Sequence, residues 1–204
     1  STPIKSSAAS DVYKRQKHVL QTISETELTE RCKQGDKKAF QQLYEQYAGL
    51  LMAICVRYAG ERESAQDILH DGFLKIFRSF AKFSYRGEGS LRAWLTRIMV
   101  NESLEYLRVK SQLNQTVLME NLPDTIPDSE EYDWEQIPQS QLMRFIEELP
   151  AGYRTVFNLY VFEEKSHKEI ASILGITEKT SSSQLYRAKS LLIRKINDYI
   201  KKEQ

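Results

Sequence analysis

The chain of 204 residues has little glycine and proline, eight and five residues, roughly half of average usage, and a sequence so poor in turn formers is expected to be mostly helical. Its cysteines number two, Cys32 and Cys55, and neither has a second Cys or a His near it at metal-ligand spacing. That excludes a disulfide scaffold and predicts two buried apolar thiols in a reducing compartment. The longest apolar run, residues 50 to 56, is far below the roughly 18 residues a bilayer span needs, and no cleavable signal pattern stands at the start. A cytoplasmic protein is expected. Glycine-rich phosphate loops, metal clusters and nucleophile–base pairs are also missing from the sequence, so neither catalysis nor a cofactor or metal is expected.

What the chain does contain is an uneven distribution of charge behind a formal net charge of +1. Residues 24–110 carry 14 basic and 12 acidic side chains, and residues 141–204 carry 11 and 8. Between them, residues 111–140 hold seven acids and no base, together with Pro123, Pro127 and Pro138. The pattern predicts an all-α protein of two small helical domains, 24–110 and 139–204, joined by a flexible acidic linker over 111–138. Residues 1–23 form a tail. Within it, Asp11 to Gln16 resemble the translated end of a transposon-based sequencing adapter, so residues 1–17 are expected to be foreign to the folded chain; a basic tail is the other reading.

In the first domain, Ser24 and Glu27 have capping-box spacing and Gly35 suits a helix stop. Phe40, Leu43, Tyr44, Tyr47, Leu51, Ile54, Cys55 and Tyr58 mark one face of a helix over about 37 to 58, ended by Gly60. Ala65, Ile68, Leu69, Phe73, Ile76, Phe77 and Phe80 repeat the pattern over about 62 to 80. After a loop through Phe83, Tyr85 and Arg86, Ser90 is expected to cap a fourth helix running to about 110, with Leu91, Trp94, Leu95 and Ile98 on its apolar side. On that helix Arg97, Asn101 and Arg108 share a polar stripe, which reads either as a solvated face or as a surface for base edges and phosphates. Phe83 and Tyr85 read either as a lid over the bundle or as a stacking platform for unpaired bases, and periodicity favours the lid.

In the second domain, Leu142, Phe145, Ile146 and Leu149 form a helical face ending at Pro150, and Tyr153, Val156, Phe157, Tyr160 and Val161 form another. Residues 166–177 have the layout of a helix-turn-helix: Ala171 allows close approach, Gly175 turns, Ile176 plugs the core and Thr177 caps the second helix. His167 reads as an exposed first-turn residue.

Taken in order, the runs Glu27 to Phe40, Leu43-Tyr44 to Tyr47, Ala65 to Phe73, Arg86-Gly87 and Arg92 to Asn101 resemble region 2 of bacterial extracytoplasmic-function sigma factors, of the sigma-70 superfamily. Glu148-Leu149-Pro150 and Thr180 to Leu192 resemble the entry and recognition helix of region 4, and Thr180 to Gln184 with Ala188-Lys189 look like versions from the Bacteroidetes group. His70 and Gly72 stand where relatives differ, His70 in place of a usual Gln. Lys179 and Ser182 stand where those relatives commonly have Gly and Lys.

The resemblance implies a non-catalytic specificity subunit that binds core RNA polymerase at the β′ clamp helices and the β subunit, and directs it to promoters. It implies polymerase contacts at Asp67, Asp71, Phe73 and Arg78, and −10 contacts at Phe83, Tyr85, Arg86, Arg97 and Asn101. For the −35 element it implies Ser182, Ser183, Gln184, Tyr186 and Arg187, with Gln184 reading a base and Arg187 holding phosphate. An anti-sigma protein, membrane-tethered in many relatives, is the further partner implied. The acidic linker reads either as a solvated tether or as a segment threading the basic channel of polymerase. A stand-alone helix-turn-helix regulator is the competing function.

Overall fold

The computed structural model describes residues 23–110 and 137–203, and every regular element among them is helical. The first unit comprises α1 (Glu25–Lys33), α2 (Lys37–Ala59), α3 (Arg62–Ser79), a 3-10 turn (Phe80–Lys82) and α4 (Ser90–Val109). The second comprises α5 (Gln139–Glu147), α6 (Ala151–Val161), α7 (His167–Leu174) and α8 (Glu178–Glu203). The expected tail and the expected linker lie outside the described residues, apart from Ile23, Ile137 and Pro138.

Side-chain caps set the first boundaries. Ser24 Oγ accepts from the Glu27 amide at 3.1 Å, and Asp36 Oδ1 accepts from Lys38 at 2.8 Å and Ala39 at 3.4 Å. The other Asp36 oxygen takes two bonds from Arg31, and this guanidinium is the largest reason its carboxyl titrates below the usual range. Ser90 does not cap α4 as expected. Gly89 holds that position, and Ser90 is the first helical residue, its Oγ accepting the Arg86 amide at 3.2 Å.

The core of the first unit is a stack of α2, α3 and α4 through Leu43, Leu51, Cys55, Tyr58, Ile68, Ile76, Leu91, Leu95 and Met99. Gly72, unfavourable by about 1 kcal/mol in mid-helix, has a packing reason. A Cβ there would stand 2.4 Å from Met99 Sδ, so the glycine lets α3 and α4 approach.

In the second unit, Ser166 and Glu169 exchange both bonds of a capping box at the start of α7, and Thr177 Oγ1 accepts the Thr180 amide at 3.0 Å at the start of α8. Phe145, Ile146, Leu149, Tyr153, Ala188, Leu192 and Ile196 close a core between α5, α6 and α8. His167 departs from expectation: it is half-buried, its ring stacked on Tyr160 and its Nδ1 3.0 Å from Ser181 Oγ.

The apolar face expected on α6 is also only half right. Tyr153 and Val156 are buried, but Tyr160 and Val161 are exposed while the polar Arg154, Thr155 and Asn158 are buried. The reason is that α6 lies across the C-terminal end of α2. Arg154 donates to the carbonyls of Tyr58 at 3.0 Å and Ala59 at 2.8 Å, and also to those of Glu147 and Leu149 at the end of α5. Asn158 Nδ2 donates to the Arg57 carbonyl at 2.8 Å. Three successive carbonyls in the last turn of α2, which have no partner within the helix, are thus met by two side chains of α6. Arg57 itself pairs with Glu163 at 2.9 Å and lies over the Phe162 ring at 3.9 Å; burial pushes the Arg57 pKa down and the Glu163 pKa up. Val156, Leu159, Ile170 and Leu185 belong to the same apolar cluster as the first unit, so the two units share a core.

Candidate nucleic-acid interface

Three surfaces hold the residues singled out by sequence. The first is a pocket of about 360 Å3 at the start of α4, lined by Lys82, Phe83, Ser84, Arg86, Ser90, Ala93, Trp94 and Arg97. It brings aromatic rings and exposed cations into one lining, which suits a planar ring on a phosphate chain. Phe83 is not a free stacking face: it is 6% exposed, packed on Phe80 at 5.9 Å and Trp94 at 4.8 Å. It is the lid that periodicity favours, and the half-exposed ring it supports is Trp94. Helical spacing puts Trp94 on the apolar side of α4, and only the loop folding back beside it brings it to the pocket. Arg86 and Arg97 are exposed and share the pocket, whereas Tyr85 is half-buried against the core outside its lining.

Asn101 lies one turn further along α4 and is exposed. With Arg97 it lines a second cleft, whose far wall is Leu159, Glu163, Lys165 and Ile173 of the second unit. Arg108 on the same stripe pairs with Glu105.

The second surface is on α3. Asp67, Asp71 and Arg78 are exposed, as a contact surface requires. Phe73 is instead 4% exposed and packed against Tyr44 at 4.7 Å, because its position on α3 faces α2. The exposed apolar atoms come from its neighbours: Tyr44, Leu74 and Phe77 border a groove floored by Leu69 and Phe73 and reached by His70. Leu74 carried no signal by helical spacing, since it lies off the apolar stripe.

The third surface is α8. Ser182 and Ser183 are exposed near its start, together with Lys179 and, two turns on, Lys189. Gln184 is half-buried beside Gly152 of α6, because it immediately precedes buried Leu185 and follows buried Ser181 by three residues. Tyr186 is half-buried. Arg187, expected as a free phosphate contact, is half-buried with Nη1 3.4 Å from the Tyr153 hydroxyl. The exposed cations on this part of α8 are the two lysines.

No helix among the described residues is long and apolar enough to cross a membrane, and both thiols are buried, their pKa values pushed up to about 12 by loss of solvent.

A four-helix unit carrying a basic, aromatic-walled pocket, followed by a helix-turn-helix unit, defines a DNA-binding transcription factor of two parts. Comparison with known proteins agrees: residues 43–112 match the model for sigma-70 region 2, and residues 139–192 match that for sigma-70 region 4. An ECF RNA polymerase sigma-E factor from Haemophilus influenzae is 30% identical over 195 residues, 87% of this chain and 98% of the relative. The RNA polymerase sigma-H factor of Pseudomonas aeruginosa is 26% identical over 192 residues, 85% of this chain and 94% of that one. Among solved structures, CnrH in complex with the cytosolic domain of CnrY is 22% identical with a TM-score of 0.43, covering 84% of this chain and 96% of that one. The chain belongs to the extracytoplasmic-function sigma factors of the sigma-70 family. It is a transcription initiation factor, not an enzyme, and binds core RNA polymerase and promoter DNA. The match runs through the first unit as well as the helix-turn-helix, which a stand-alone regulator would not explain.

Proposed function

We propose that this cytoplasmic sigma factor uses its first unit, residues 24–110, to dock on polymerase and hold the melted −10 strand, and its second, residues 139–204, to read the −35 duplex. The observation that carries the reading is the pocket at the start of α4, which Trp94 lines together with Arg86 and Arg97. A flipped base stacks on the ring while the guanidiniums meet flanking phosphates, an arrangement worth roughly 1 to 3 kcal/mol per stacked base. Asn101, which offers both an acceptor and donors, and Tyr85 extend the contact along the strand. On the polymerase side, the exposed Asp67, Asp71 and Arg78 of α3 act together with the apolar groove along the same helix, bordered by Tyr44, Leu74 and Phe77, whose floor is Phe73.

On α8, Ser182 and Ser183 face the −35 bases and Lys179 and Lys189 the phosphates, with Gln184, Tyr186 and Arg187 on the flank. The acidic segment 111–138 threads the nucleic-acid channel of polymerase, its carboxylates standing in for phosphates. An anti-sigma protein that covers the α3 groove completes the set of partners; the solved structure of the sigma factor RpoE from Bartonella quintana holds the anti-sigma factor NepR.

The free chain is expected to bind promoter DNA weakly, because each unit carries few net positive charges and the Asn101 cleft is walled by Glu163. Holoenzyme carrying Arg86→Ala or Asn101→Ala tests the −10 assignment. Both variants should co-purify with polymerase yet give weaker permanganate reactivity at the −10 thymines. Footprints as strong as wild type in both would overturn the assignment.

A further inference from the structure

The start of α4 lacks capping groups of its own. Gly89 at the cap has no side chain and a φ of +82°, and no acid stands in the first turn. Orphan amides at such an end need acceptors from elsewhere. They are met from the other end of the unit: Glu25 Oε2 accepts from the Gly89 amide at 2.9 Å and Oε1 from the Leu91 amide at 2.7 Å. Glu25 is the first residue of α1, a helix anchored by buried Leu28, Thr29 and Cys32. It precedes the stretch that matches region 2.

The loop ahead of α4 closes on the same point. The Arg86 amide donates to Ser90 Oγ, and the Ser90 amide donates to the Gly87 carbonyl at 3.1 Å. Tyr47, whose phenol is pushed up first by burial, feels the charge of Glu25 and also Tyr85 of the loop, with Arg92 opposing. A carboxylate held between two helix N-termini is favoured by both dipoles.

We propose that Glu25 is a positioning residue for promoter opening: by clamping the Gly89 and Leu91 amides it fixes the loop 83–89 against α4, so that Arg86 faces Trp94 and Arg97 before the DNA strand arrives. The proposal rests on the −10 assignment above. The clamp acts through the loop and α4 and touches no base.

The test uses holoenzyme with the full chain carrying Glu25→Ala or Glu25→Gln. Polymerase co-purification should be unchanged. Open-complex yield, read by permanganate, should fall about fivefold in Glu25→Ala, the size of a lost helix cap, and less in Glu25→Gln, whose amide oxygen can still accept one bond. Hydrogen exchange at the Gly89 and Leu91 amides should quicken in the same order. If Glu25→Ala fails to fold, Glu25→Gln carries both readings. Unchanged exchange would overturn the clamp, and faster exchange with wild-type opening would overturn its role in positioning. Arg86→Ala and Asn101→Ala run in parallel separate the two ideas. Should those two open promoters normally while the Glu25 variants do not, the −10 assignment falls and the positioning of Arg86 falls with it, leaving only the bonds to Gly89 and Leu91 that exchange reads; if all open normally, both fall.

Discussion

Arg154 donates a hydrogen bond to the carbonyl of Ala59, 95 positions earlier, at 2.8 Å, and its guanidinium at the same time ends both α2 and α5. One cation therefore closes two helices in different units, where the partial negative charge of each C-terminus favours it. Against this, the hydroxyl of Tyr58, Nε of Arg57 and Oδ1 of Asn158 are buried nearby without a protein partner, each a cost of about 1 to 3 kcal/mol. The junction balances opposing contributions.

Arg154→Met keeps the stem and removes all four bonds. It should lower stability by about 3 kcal/mol, as loss of a charged, buried donor does, and lengthen the distance between fluorophores placed on α3 and α8. Gly60→Ala should separate the units by another route, because its Cβ would stand 2.4 Å from the Arg154 guanidinium at a φ of +79°. An unchanged distance in both variants would show that the shared apolar residues hold the units together without the arginine.

Leu74→Glu adds a charge to the rim of the α3 groove without touching the core, since Leu74 is 38% exposed. Circular dichroism should be that of the wild type and recovery with core polymerase should drop at least about tenfold, the effect of placing one uncompensated charge in an apolar contact. Equal recovery would move the polymerase contact off this groove.

At the −35 element, Lys179→Ala and Lys189→Ala in holoenzyme should weaken binding evenly across promoters and reduce the salt slope by about 0.9 for each phosphate no longer neutralised. Arg187→Ala should leave the slope nearly unchanged and reduce stability, since its guanidinium meets Tyr153. Titrations at two salt concentrations distinguish the pair. A slope change confined to Arg187→Ala would return the phosphate-binding role to that residue.

Asp36 contributes to the acid limb together with Glu148 and Glu169: its folded pKa lies below its unfolded value near 3.9 because Arg31 and the amides of Lys38 and Ala39 favour the carboxylate. Its contribution is complete above the unfolded pKa and is lost as pH falls through the folded one. Thermal midpoints between pH 6 and pH 2, a range set about these values, should therefore fall less steeply in Asp36→Asn, which keeps the cap but not the charge. Parallel curves would assign the acid limb to other groups.

Much of the fold is legible because the helices repeat apolar residues at three- and four-residue spacing and two of them, α2 and α7, end at glycines. The boundary of α2 at Gly60 and the turn at Gly175 follow from sequence for that reason. What periodicity cannot register is burial of polar side chains against backbone. Arg154 and Asn158 look like a solvated face until the end of α2 lies over them, and Glu25 looks like an ordinary first-turn acid until α4 begins beside it. The site is half legible on the same grounds. Arg86, Arg97 and Asn101 stand exposed, as a contact would require, while Phe73 and Phe83 go to the core because an aromatic ring gains more from burial than from standing free.

The two thiols, buried and shifted to about 12, carry almost no thiolate at neutral pH. Maleimide chemistry should therefore pass them by in the folded protein. A cysteine introduced at exposed Ser182 or Asp71 then becomes the reactive position on the chain, with Cys32 and Cys55 left in place and the packing around them undisturbed.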